Sequence, residues 1–339
     1  MIEKLDKFVT DALYYYDLPG LAVSLKINDL EYEKAVGDRD VDTGEKLKTD
    51  DIFHMASVSK LFTATAILQL EERGLLSTED RLIDVLPWIK MDDRRLPEIR
   101  IGHMLAHTSG MGDVEDYHWQ DPKTDPDALK KYCMSDEVTG MKMLHSPEEN
   151  KFRYSNTAYE LLGCITAEKA GMSFEEYIDE NIFKPLGMDA SSFLTFKRSG
   201  DAMAMPHTKD GDKHIIRQTY YPYNRQHGPS STLTSNGKDM AKWAFANLTK
   251  TILKPETYEK MWKEYAVVPN NGEQMGLGWF MRKQEGHILM GHEGTDDGFR
   301  SSFWLCPSLN GYIAVMSNMT GAPVKRINRQ ILSLVLKEG

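Results

Sequence analysis

One helix, apolar on nearly every side, constrains how this chain can fold. Residues 57–73 have helical periodicity, and apolar side chains occupy almost all faces of the segment: Leu61, Phe62, Ala64, Ala66, Ile67, Leu68 and Leu70. A helix of this kind is stable only when other elements surround it. The rest of the chain must therefore enclose this helix, and 339 residues suffice for one large domain or two closely joined ones.

Composition and charge exclude several functional classes. Hydrophobic residues make up 41% of the chain and charged residues 27%, which is ordinary for a globular protein. The net charge of −10 lacks the basic footprint of a nucleic-acid-binding protein, so we interpret the acidic surplus as a source of solubility. No apolar run reaches the roughly 18 residues of a membrane span.

The cysteine spacing is informative about metal and redox sites, and the first residues are informative about the cellular compartment. Cys133, Cys164 and Cys306 are widely spaced and form no Cys-x-x-Cys pair, so neither a zinc knuckle nor a redox dithiol is predicted. Met1 leads directly into an amphipathic helical pattern without the basic and apolar regions of a signal peptide. We expect a cytoplasmic protein if Met1 is the natural start, and a periplasmic or secreted one if a signal peptide has been trimmed.

Strand-like segments lie near both ends of the chain. Residues 21–27 and 32–36 precede the buried helix, and residues 275–281, 287–291, 299–306 and 312–316 follow near the C-terminus, with the turn Asn310-Gly311 predicting a hairpin. Helical patterns cover residues 2–16 and 323–337. We predict an α/β (α+β) fold in one catalytic unit. Its antiparallel sheet, built from residues 1–75 and 270–339, is flanked by helices, and residues 76–269 form an inserted, mainly helical region.

A serine and a lysine lie three positions apart at the start of the buried helix. In Ser57-Val58-Ser59-Lys60 the two side chains share one helix face, near a helix N-terminus that favours developing negative charge. A serine becomes a nucleophile when a base lies beside it, and burial lowers the pKa of a lysine toward that use. The pattern is weak alone, because Ser235-Asn236-Gly237-Lys238 also matches it. We interpret that second copy as a loop and helix cap.

Two later segments could supply the other groups that acyl transfer needs. Tyr154-Ser155-Asn156 precedes a helix predicted to open with a capping box at Thr157. Its tyrosine can carry a proton, and its asparagine can hold a carbonyl or orient the amine. In His292-Glu293-Gly294-Thr295 the glycine would let a substrate lie close to the backbone, and the next N–H could point into the site. Taken singly, each segment also has an ordinary explanation as a turn.

Together and in this order, the three motifs resemble those of the serine β-lactamase and penicillin-binding-protein superfamily. The resemblance is to its class C β-lactamase-like branch, which includes esterases, D-aminopeptidases and DD-peptidases. It covers nearly the whole chain, and residues 101–111, 228–243 and 291–304 are similar to segments of that branch. The fold predicted above is the one that this resemblance implies.

The resemblance also implies a role for each motif residue. Ser57 would be the acylated nucleophile, Lys60 its base partner, and Tyr154 the carrier of the proton that passes to and from the leaving group. Asn156 would bind the substrate or Lys60, and the N–H groups of Ser57 and Thr295 would form the oxyanion hole. Whether Lys60 or Tyr154 is the general base stays open, since such a pair titrates as a coupled unit.

One position departs from the pattern of β-lactamases. His292 stands where they usually carry the lysine of Lys-Thr-Gly, and a neutral histidine offers no fixed charge to an anionic substrate. We therefore expect a serine hydrolase that acts through an acyl-enzyme on small esters, amides or D-residue-containing peptides. The alternatives are a true β-lactamase or DD-peptidase and, from another class, a binding or sensor protein that keeps the fold without turnover.

Other candidate residues bear on the pocket and on cofactors. His118 and Trp119 lie in a long polar loop that could form a pocket wall, whereas the aromatic run at 220–223 favours packing. His103 and His107 have metal-pair spacing, but Met104 replaces the glutamate of a His-Glu-x-x-His site. We predict no metal and no cofactor, and a small molecule or short peptide as the substrate. The oligomeric state stays open.

Overall fold

A computed structural model describes residues 1–113, 116–195, 202–216 and 221–338 of the chain. The strands of this described part are β1 (Gly20–Ile27), β2 (Leu30–Asp40), β3 (Glu45–Lys46), β4 (Phe53–Ala56), β5 (His207–Asp210), β6 (Lys213–Ile216), β7 (Leu233–Ser235), β8 (Ala266–Val267), β9 (Gln274–Met275), β10 (Phe280–Gln284), β11 (His287–Asp296), β12 (Phe299–Cys306) and β13 (Gly311–Ser317). Its α-helices are α1 (Ile2–Tyr15), α2 (Ser59–Glu72), α3 (Leu82–Val85), α4 (Ile101–Leu105), α5 (Ala128–Cys133), α6 (Asp136–Thr139), α7 (Asn156–Ala170), α8 (Phe174–Ile178), α9 (Lys184–Leu186), α10 (Gly228–Ser231), α11 (Gly237–Leu248), α12 (Pro255–Met261) and α13 (Val324–Glu338).

A nine-stranded antiparallel sheet is the largest element of the described chain. Its strand order is β3-β2-β1-β13-β12-β11-β10-β9-β8, and β1 pairs with β13 with Leu21 opposite Ser317. The two ends of the chain therefore meet in the middle of one sheet. This confirms the predicted fold class, an antiparallel sheet that draws strands from both termini and is flanked by helices.

Alternation along the central strands gives the sheet two apolar faces, as the two-residue repeat of a strand requires. Leu21 and Val23 of β1 pack in one core with α1 and α13. Ala314 and Met316 of β13 belong to a second core, which the sheet shares with the helices between residues 59 and 261. The candidate site lies on this second side, where the sheet meets the buried helix α2.

Helix α2 is buried along its length, as its sequence predicts. Every residue from Ser59 to Leu70 is buried, and Phe62 stacks on Trp243 of α11 with ring centroids 4.1 Å apart. Helices α7 and α10 pack against α2 on other sides. Among the described residues, no helix combines the length and the apolar character that crossing a bilayer requires.

The first turn of α2 differs from the prediction. The helix begins at Ser59 rather than Ser57, because the residues before it form tight turns whose hydrogen bonds run from residue i+3 to residue i. Lys60 N donates to Ser57 O at 3.1 Å and Leu61 N to Val58 O at 3.1 Å. Hydrogen bonds from residue i+3 to residue i align the side chains of those residues. Ser57 and Lys60 therefore remain on one line although Ser57 precedes the helix.

The N-terminus of α7 also differs from the prediction. The capping residue is Ser155, whose Oγ accepts from Ala158 N at 3.1 Å. A capping box at Thr157 would need Glu160 to reach back to the Thr157 N–H. Instead, Glu160 is fully buried and bonds Ser230 of α10, so tertiary contacts override the local pattern. Gly171, with a φ of 68°, ends the helix, as predicted.

Two further expectations concern the C-terminal half. The predicted strand at 275–281 is two strands, β9 and β10, because the chain turns between them at Gly278, whose φ is 86°. A Cβ on Gly278 would lie 2.3 Å from Ala64 Cβ of α2, so a glycine is needed here. Asn236 Oδ1 accepts from Asp239 N at 3.0 Å at the start of α11, which confirms that the second Ser-x-x-Lys copy is a helix cap.

Candidate active site

The turn between β4 and α2 holds Ser57 on a strained backbone. Ala56 has a φ of 47°, in the left-handed region that residues other than glycine seldom adopt. Ser59 fastens the turn, since its Oγ donates to Ala56 O at 2.6 Å and accepts from Leu233 N at 2.9 Å. Strain of this kind persists only where surrounding structure enforces it, and it clusters at functional sites. The turn therefore presents Ser57 in one defined orientation.

The Lys60 side chain is fully buried, and its ammonium makes three hydrogen bonds. Nζ donates to Ser57 Oγ at 3.2 Å, to Asn156 Oδ1 at 2.5 Å and to the carbonyl of Ser230 at 2.9 Å. Burial disfavours the charged form and lowers the pKa of Lys60 to about 7, although nearby carboxylates oppose the shift. A lysine with this pKa is partly neutral at neutral pH and can then accept a proton from the Ser57 hydroxyl.

Tyr154 lies beside the same amine, with Lys60 Nζ 4.9 Å from the centre of its ring. Burial raises the pKa of Tyr154, and a hydrogen bond with Ser57 offsets only part of this rise. The phenol therefore keeps its proton at neutral pH. It is placed to pass a proton on, whereas an ionised phenolate would be costly at this depth.

His107 holds Tyr154 in place. The two rings stack with centroids 4.3 Å apart, and His107 Nδ1 accepts from Ser155 N at 3.2 Å. Burial lowers the pKa of His107 well below its ordinary value, which keeps the imidazole neutral and able to accept. His103 instead accepts from Arg100 N at 3.2 Å, so the two histidines do not act as a pair. Across the residues that the structure describes, no group of three or more His, Cys, Asp or Glu side chains is placed to hold a metal ion.

Asn156 is oriented by two residues that the sequence analysis did not single out. Its Nδ2 donates to Asp113 Oδ2 at 2.7 Å and to the Tyr117 hydroxyl, and its backbone N donates to the same Asp113 oxygen at 3.0 Å. Both amide hydrogens are thus engaged. The amide must turn its Oδ1 toward Lys60, so Asp113 and Tyr117 determine which Asn156 atom the amine meets.

His292 brings a neutral imidazole to the site from β11. The side chain is 2% exposed, and burial, followed by the positive charge of Lys60, lowers the pKa of His292 to about 3. Nδ1 donates to Glu293 O at 2.6 Å, which leaves Nε2 as the acceptor. Nε2 has no hydrogen-bond partner within the described chain, and the residue lines the cleft beside Ser57. The third motif thus brings no fixed charge to the cleft, and its acceptor, Nε2, is itself buried.

Gly294 has a packing role that the sequence did not predict. A Cβ at this position would lie 2.0 Å from Ser301 Oγ and 2.2 Å from Met55 O. Protein atoms already fill the space that a side chain would take here. The missing side chain lets β11 approach β4, the strand that leads to Ser57. Strand β10 pairs with β11 only as far as Gly291, so the expectation that a substrate lies along the backbone at Gly294 stays a prediction. Thr295, the next residue, is exposed and lines the cleft with Ser57.

A cleft of about 390 Å³ joins these groups. Ser57, Tyr154, Asn156, His292 and Thr295 all line it. The remaining wall includes aromatic rings and charged side chains, namely Phe152, Phe280, Trp304, Glu273, Glu293 and Lys325. The structure therefore brings residues from all three motifs to one opening, with Lys60 buried directly behind Ser57.

The predicted pocket wall at residues 118 and 119 is not part of this cleft. Trp119 is 7% exposed and stacks on Tyr117 with ring centroids 5.4 Å apart, so its large apolar ring is buried in packing rather than offered to a ligand. His118 points to two carboxylates, Asp116 at 3.3 Å and Glu137 at 3.5 Å. His118 lines a separate pocket that also includes Asp113, and Tyr117 is the member of that loop that contacts Asn156.

The aromatic run at 220–223 packs as predicted where the structure describes it. Tyr221 lies against Phe299, with ring centroids 5.2 Å apart, and Tyr223 is buried. Tyr220 falls outside the described residues.

Comparison with known proteins identifies the family. A family model described as Beta-lactamase matches residues 5–336. The chain belongs to the beta-lactamase family. Among curated relatives, Protein flp of Staphylococcus aureus (strain N315) is 27% identical over 346 residues, which cover 98% of this chain and 66% of that protein. This chain thus spans slightly less than two thirds of the length of that relative.

Solved structures agree with this family. The octameric penicillin-binding protein homologue from Pyrococcus abyssi superimposes with a TM-score of 0.87 at 28% identity, covering 99% of this chain and 77% of that one. The D-amino acid amidase from Ochrobactrum anthropi SV3 superimposes with a TM-score of 0.83 over 99% of both chains. At 18% identity, the second likeness shows the shared fold alone.

Proposed function

We propose that the protein is a serine hydrolase that acts through an acyl-enzyme on small esters, amides or D-residue-containing peptides. The observation that carries the proposal is the buried Lys60 amine, with Nζ 3.2 Å from Ser57 Oγ and 2.5 Å from Asn156 Oδ1 behind an open cleft. A serine with a base at hydrogen-bond distance is the arrangement that nucleophilic catalysis requires. Membership of the beta-lactamase family supports the same chemistry.

In the proposed reaction, Ser57 Oγ attacks the carbonyl carbon of the substrate while its proton passes to Lys60. The backbone N–H groups of Ser57 and Thr295 stabilise the negative charge that develops on the carbonyl oxygen. Preorganised hydrogen-bond donors contribute most to catalysis at such a developing charge. The bond to the leaving alcohol or amine then breaks, and the proton passes to that group with the help of Tyr154. A water molecule attacks the acyl-enzyme, releases the acid and returns a proton to Ser57.

The pKa values favour Lys60 over Tyr154 as the proton acceptor in the free enzyme. Burial brings the pKa of Lys60 to about 7, so a large fraction of the amine is neutral in the range where enzymes operate. Burial raises the pKa of Tyr154 above its ordinary value, so the phenol keeps its proton at neutral pH and is a poorer proton acceptor. A general base works best when its pKa lies near the operating pH.

The cleft wall favours neutral substrates with an apolar acyl group. His292 lines the cleft with a neutral, buried imidazole, so it offers no cation to a substrate carboxylate. Phe152, Phe280 and Trp304 supply apolar surface for the acyl side chain. The neighbour named as a D-amino acid amidase supports amides of D-residues as one substrate class.

One observation favours a true β-lactamase or DD-peptidase as the second candidate. Lys325 lines the same cleft, with Nζ 3.0 Å from Glu273 Oε1 and 41% of its side chain exposed. An anionic substrate would find a cation there, although one already paired with a carboxylate. Faster hydrolysis of a chromogenic cephalosporin than of a short-chain aryl ester, at equal low concentrations, would favour this candidate.

Substitution of the nucleophile tests the proposal. We expect Ser57→Ala to abolish both turnover of a panel of aryl esters and D-amino acid amides and covalent labelling by a fluorophosphonate probe. Ser235→Ala is the matched control, because it removes the serine of the second Ser-x-x-Lys copy, whose Oγ bonds Ser191, and it should label normally. Normal labelling of the Ser57 variant would exclude Ser57 as the nucleophile.

Mass spectrometry separates the enzyme from the non-turnover sensor. After a pulse of ester or β-lactam, an enzyme shows an acyl adduct on Ser57 that disappears as water deacylates it. A sensor would keep the adduct for hours. Rapid recovery of the unmodified mass supports the proposal, and a lasting adduct with every substrate contradicts it.

A further inference from the structure

A buried carboxylate on α7 faces the catalytic lysine from the side away from the cleft. Glu160 is fully buried and lies four residues after Asn156, so the two side chains share one face of the helix. Asn156 contacts the Lys60 amine directly. Glu160 is not needed in the reaction steps above, yet a buried carboxylate is costly unless specific partners compensate its charge.

The partners of Glu160 lead back to Lys60 through one residue. Glu160 Oε1 accepts from Ser230 Oγ at 2.6 Å, and His227 Nδ1 lies 3.2 Å from the same oxygen. The carbonyl of Ser230 in turn accepts from Lys60 Nζ at 2.9 Å. Ser230 is thus held by the carboxylate through its side chain and holds the amine through its backbone.

We propose that Glu160 is a positioning residue for Lys60: it anchors Ser230 so that its carbonyl faces the amine, and its negative charge stabilises the protonated amine. This inference rests on the proposed function, in which Lys60 exchanges the proton of Ser57. Glu160 touches neither substrate nor the reacting atoms and acts only through its effect on Lys60. Helix α7 then supports the lysine twice, because Asn156 Oδ1 accepts a hydrogen bond from its amine and Glu160 supplies negative charge.

Several titratable groups surround the two charges. Those facing Glu160 are His227, Tyr117, Tyr132, Tyr154, Cys133 and Lys60. Those facing Lys60, besides Glu160, are Asp113, Asp296, Tyr154, Tyr159, His107 and His292. Burial lowers the pKa of Lys60, and among the groups that oppose this effect the charge of Glu160 is the strongest, ahead of Asp113 and Asp296.

The other two carboxylates have partners of their own. Asp113 accepts from Asn156 at 2.7 Å, and Asp296 pairs with His54 at 2.9 Å. Burial raises the pKa of Glu160, whereas its contacts with His227 and Ser230 and the charge of Lys60 oppose that rise. These partners compensate the carboxylate charge at this depth. Removal of the Glu160 charge should therefore make the protonated amine less stable, so that Lys60 loses its proton at a lower pH.

The test is the pH profile of Ser57 labelling by a fluorophosphonate probe. Glu160→Gln keeps the shape and an acceptor for Ser230 but removes the charge. We expect the profile of this variant to shift to lower pH by about one unit. At acidic pH its labelling rate, expressed as a fraction of its plateau rate, should then be up to about tenfold higher than that of the unmodified chain. Glu160→Asp, which restores the charge, should return the profile toward that of the unmodified chain.

The controls separate charge from structure. Glu168→Gln removes an exposed carboxylate from the same helix and should leave the profile in place. Ser230→Ala keeps the backbone carbonyl but loses the hydroxyl that supports the Glu160 charge, so it should shift the profile in the same direction and serves as the test if Glu160→Gln does not fold. A uniform loss of rate without a shift would overturn the inference. The proposed function itself fails if the unmodified chain labels at no pH.

Discussion

Replacement of His292 by glutamine tests whether the imidazole beside Ser57 is neutral, as the proposed substrate preference requires. In the folded protein, burial and the charge of Lys60 lower the pKa of His292 to about 3. In the unfolded chain the imidazole is exposed and titrates near 6.5. The unfolded chain therefore binds a proton that the folded protein does not, over the whole range between these two values.

The sign and size of the effect follow from this difference. Stability associated with a neutral buried histidine is present above the pKa of the unfolded state and is lost as the pH falls below it. Between pH 7 and pH 5, this one group should lower the free energy of unfolding by about 2 kcal/mol. Contributions from other buried histidines, such as His107, are common to the original chain and the variant and cancel in the comparison.

Urea unfolding of the two proteins at pH 7 and pH 5 measures this difference. His292→Gln should lower the free energy of unfolding at both pH values through lost packing. Between pH 7 and pH 5, however, the variant should lose about 2 kcal/mol less of this free energy than the original chain loses. Gly163→Ala is the control, since it lowers stability through a clash with Pro229 without adding or removing a titratable group, and it should keep the pH dependence of the original chain. If the original chain and His292→Gln lost equal amounts of unfolding free energy between pH 7 and pH 5, His292 would bind a proton in the folded protein. That result would refute the neutral imidazole in the third motif.

Three other predictions follow from the same structure. The labelling rate of Ser57 should fall about tenfold per pH unit below the Lys60 pKa of about 7, and a rate that does not change with pH would contradict this. The Lys60→Arg variant should not be labelled at any pH, because arginine keeps its proton. Gly163→Ala should lower the free energy of unfolding by about 1–3 kcal/mol, since its Cβ would lie 2.0 Å from Pro229 Cγ; an unchanged urea midpoint would show that the helices can separate without cost. Incubation with EDTA should leave ester hydrolysis unchanged, and loss of activity that zinc restores would reveal a metal site.

Local sequence patterns predicted the elements but misplaced some of their ends. The alternation in residues 21–27 and the Asn310-Gly311 turn predicted strands that the structure confirms. The starts of α2 and α7 were each misplaced by one or two residues. At both starts a tertiary contact contributes: the hydrogen bond from Leu233 N to Ser59 Oγ, and the burial of Glu160 against α10. Capping preferences act over three or four residues and cannot report such distant partners.

The candidate site could be predicted in part. Ser57, Tyr154, Asn156 and His292 line one cleft, as the order of the three motifs led us to expect. Residues that support them lie far apart in sequence and carry no local pattern, and they were missed: Asp113, Tyr117, Glu160 and Ser230. Glu160 had one usable signal, its spacing of four residues from Asn156. His118 and Trp119 do not line the cleft with Ser57, and a loop sequence does not show which of its side chains turns toward a given site.

The sequence by itself determined which reactive groups the protein carries and one distance between them. A serine and a lysine three residues apart at a helix start must lie side by side, because backbone geometry alone sets that spacing. Only the tertiary structure decided what those groups can do. The pKa of Lys60 depends on how completely segments a hundred residues away exclude water from the amine, and desolvation is a property of the whole packed environment rather than of neighbours along the chain.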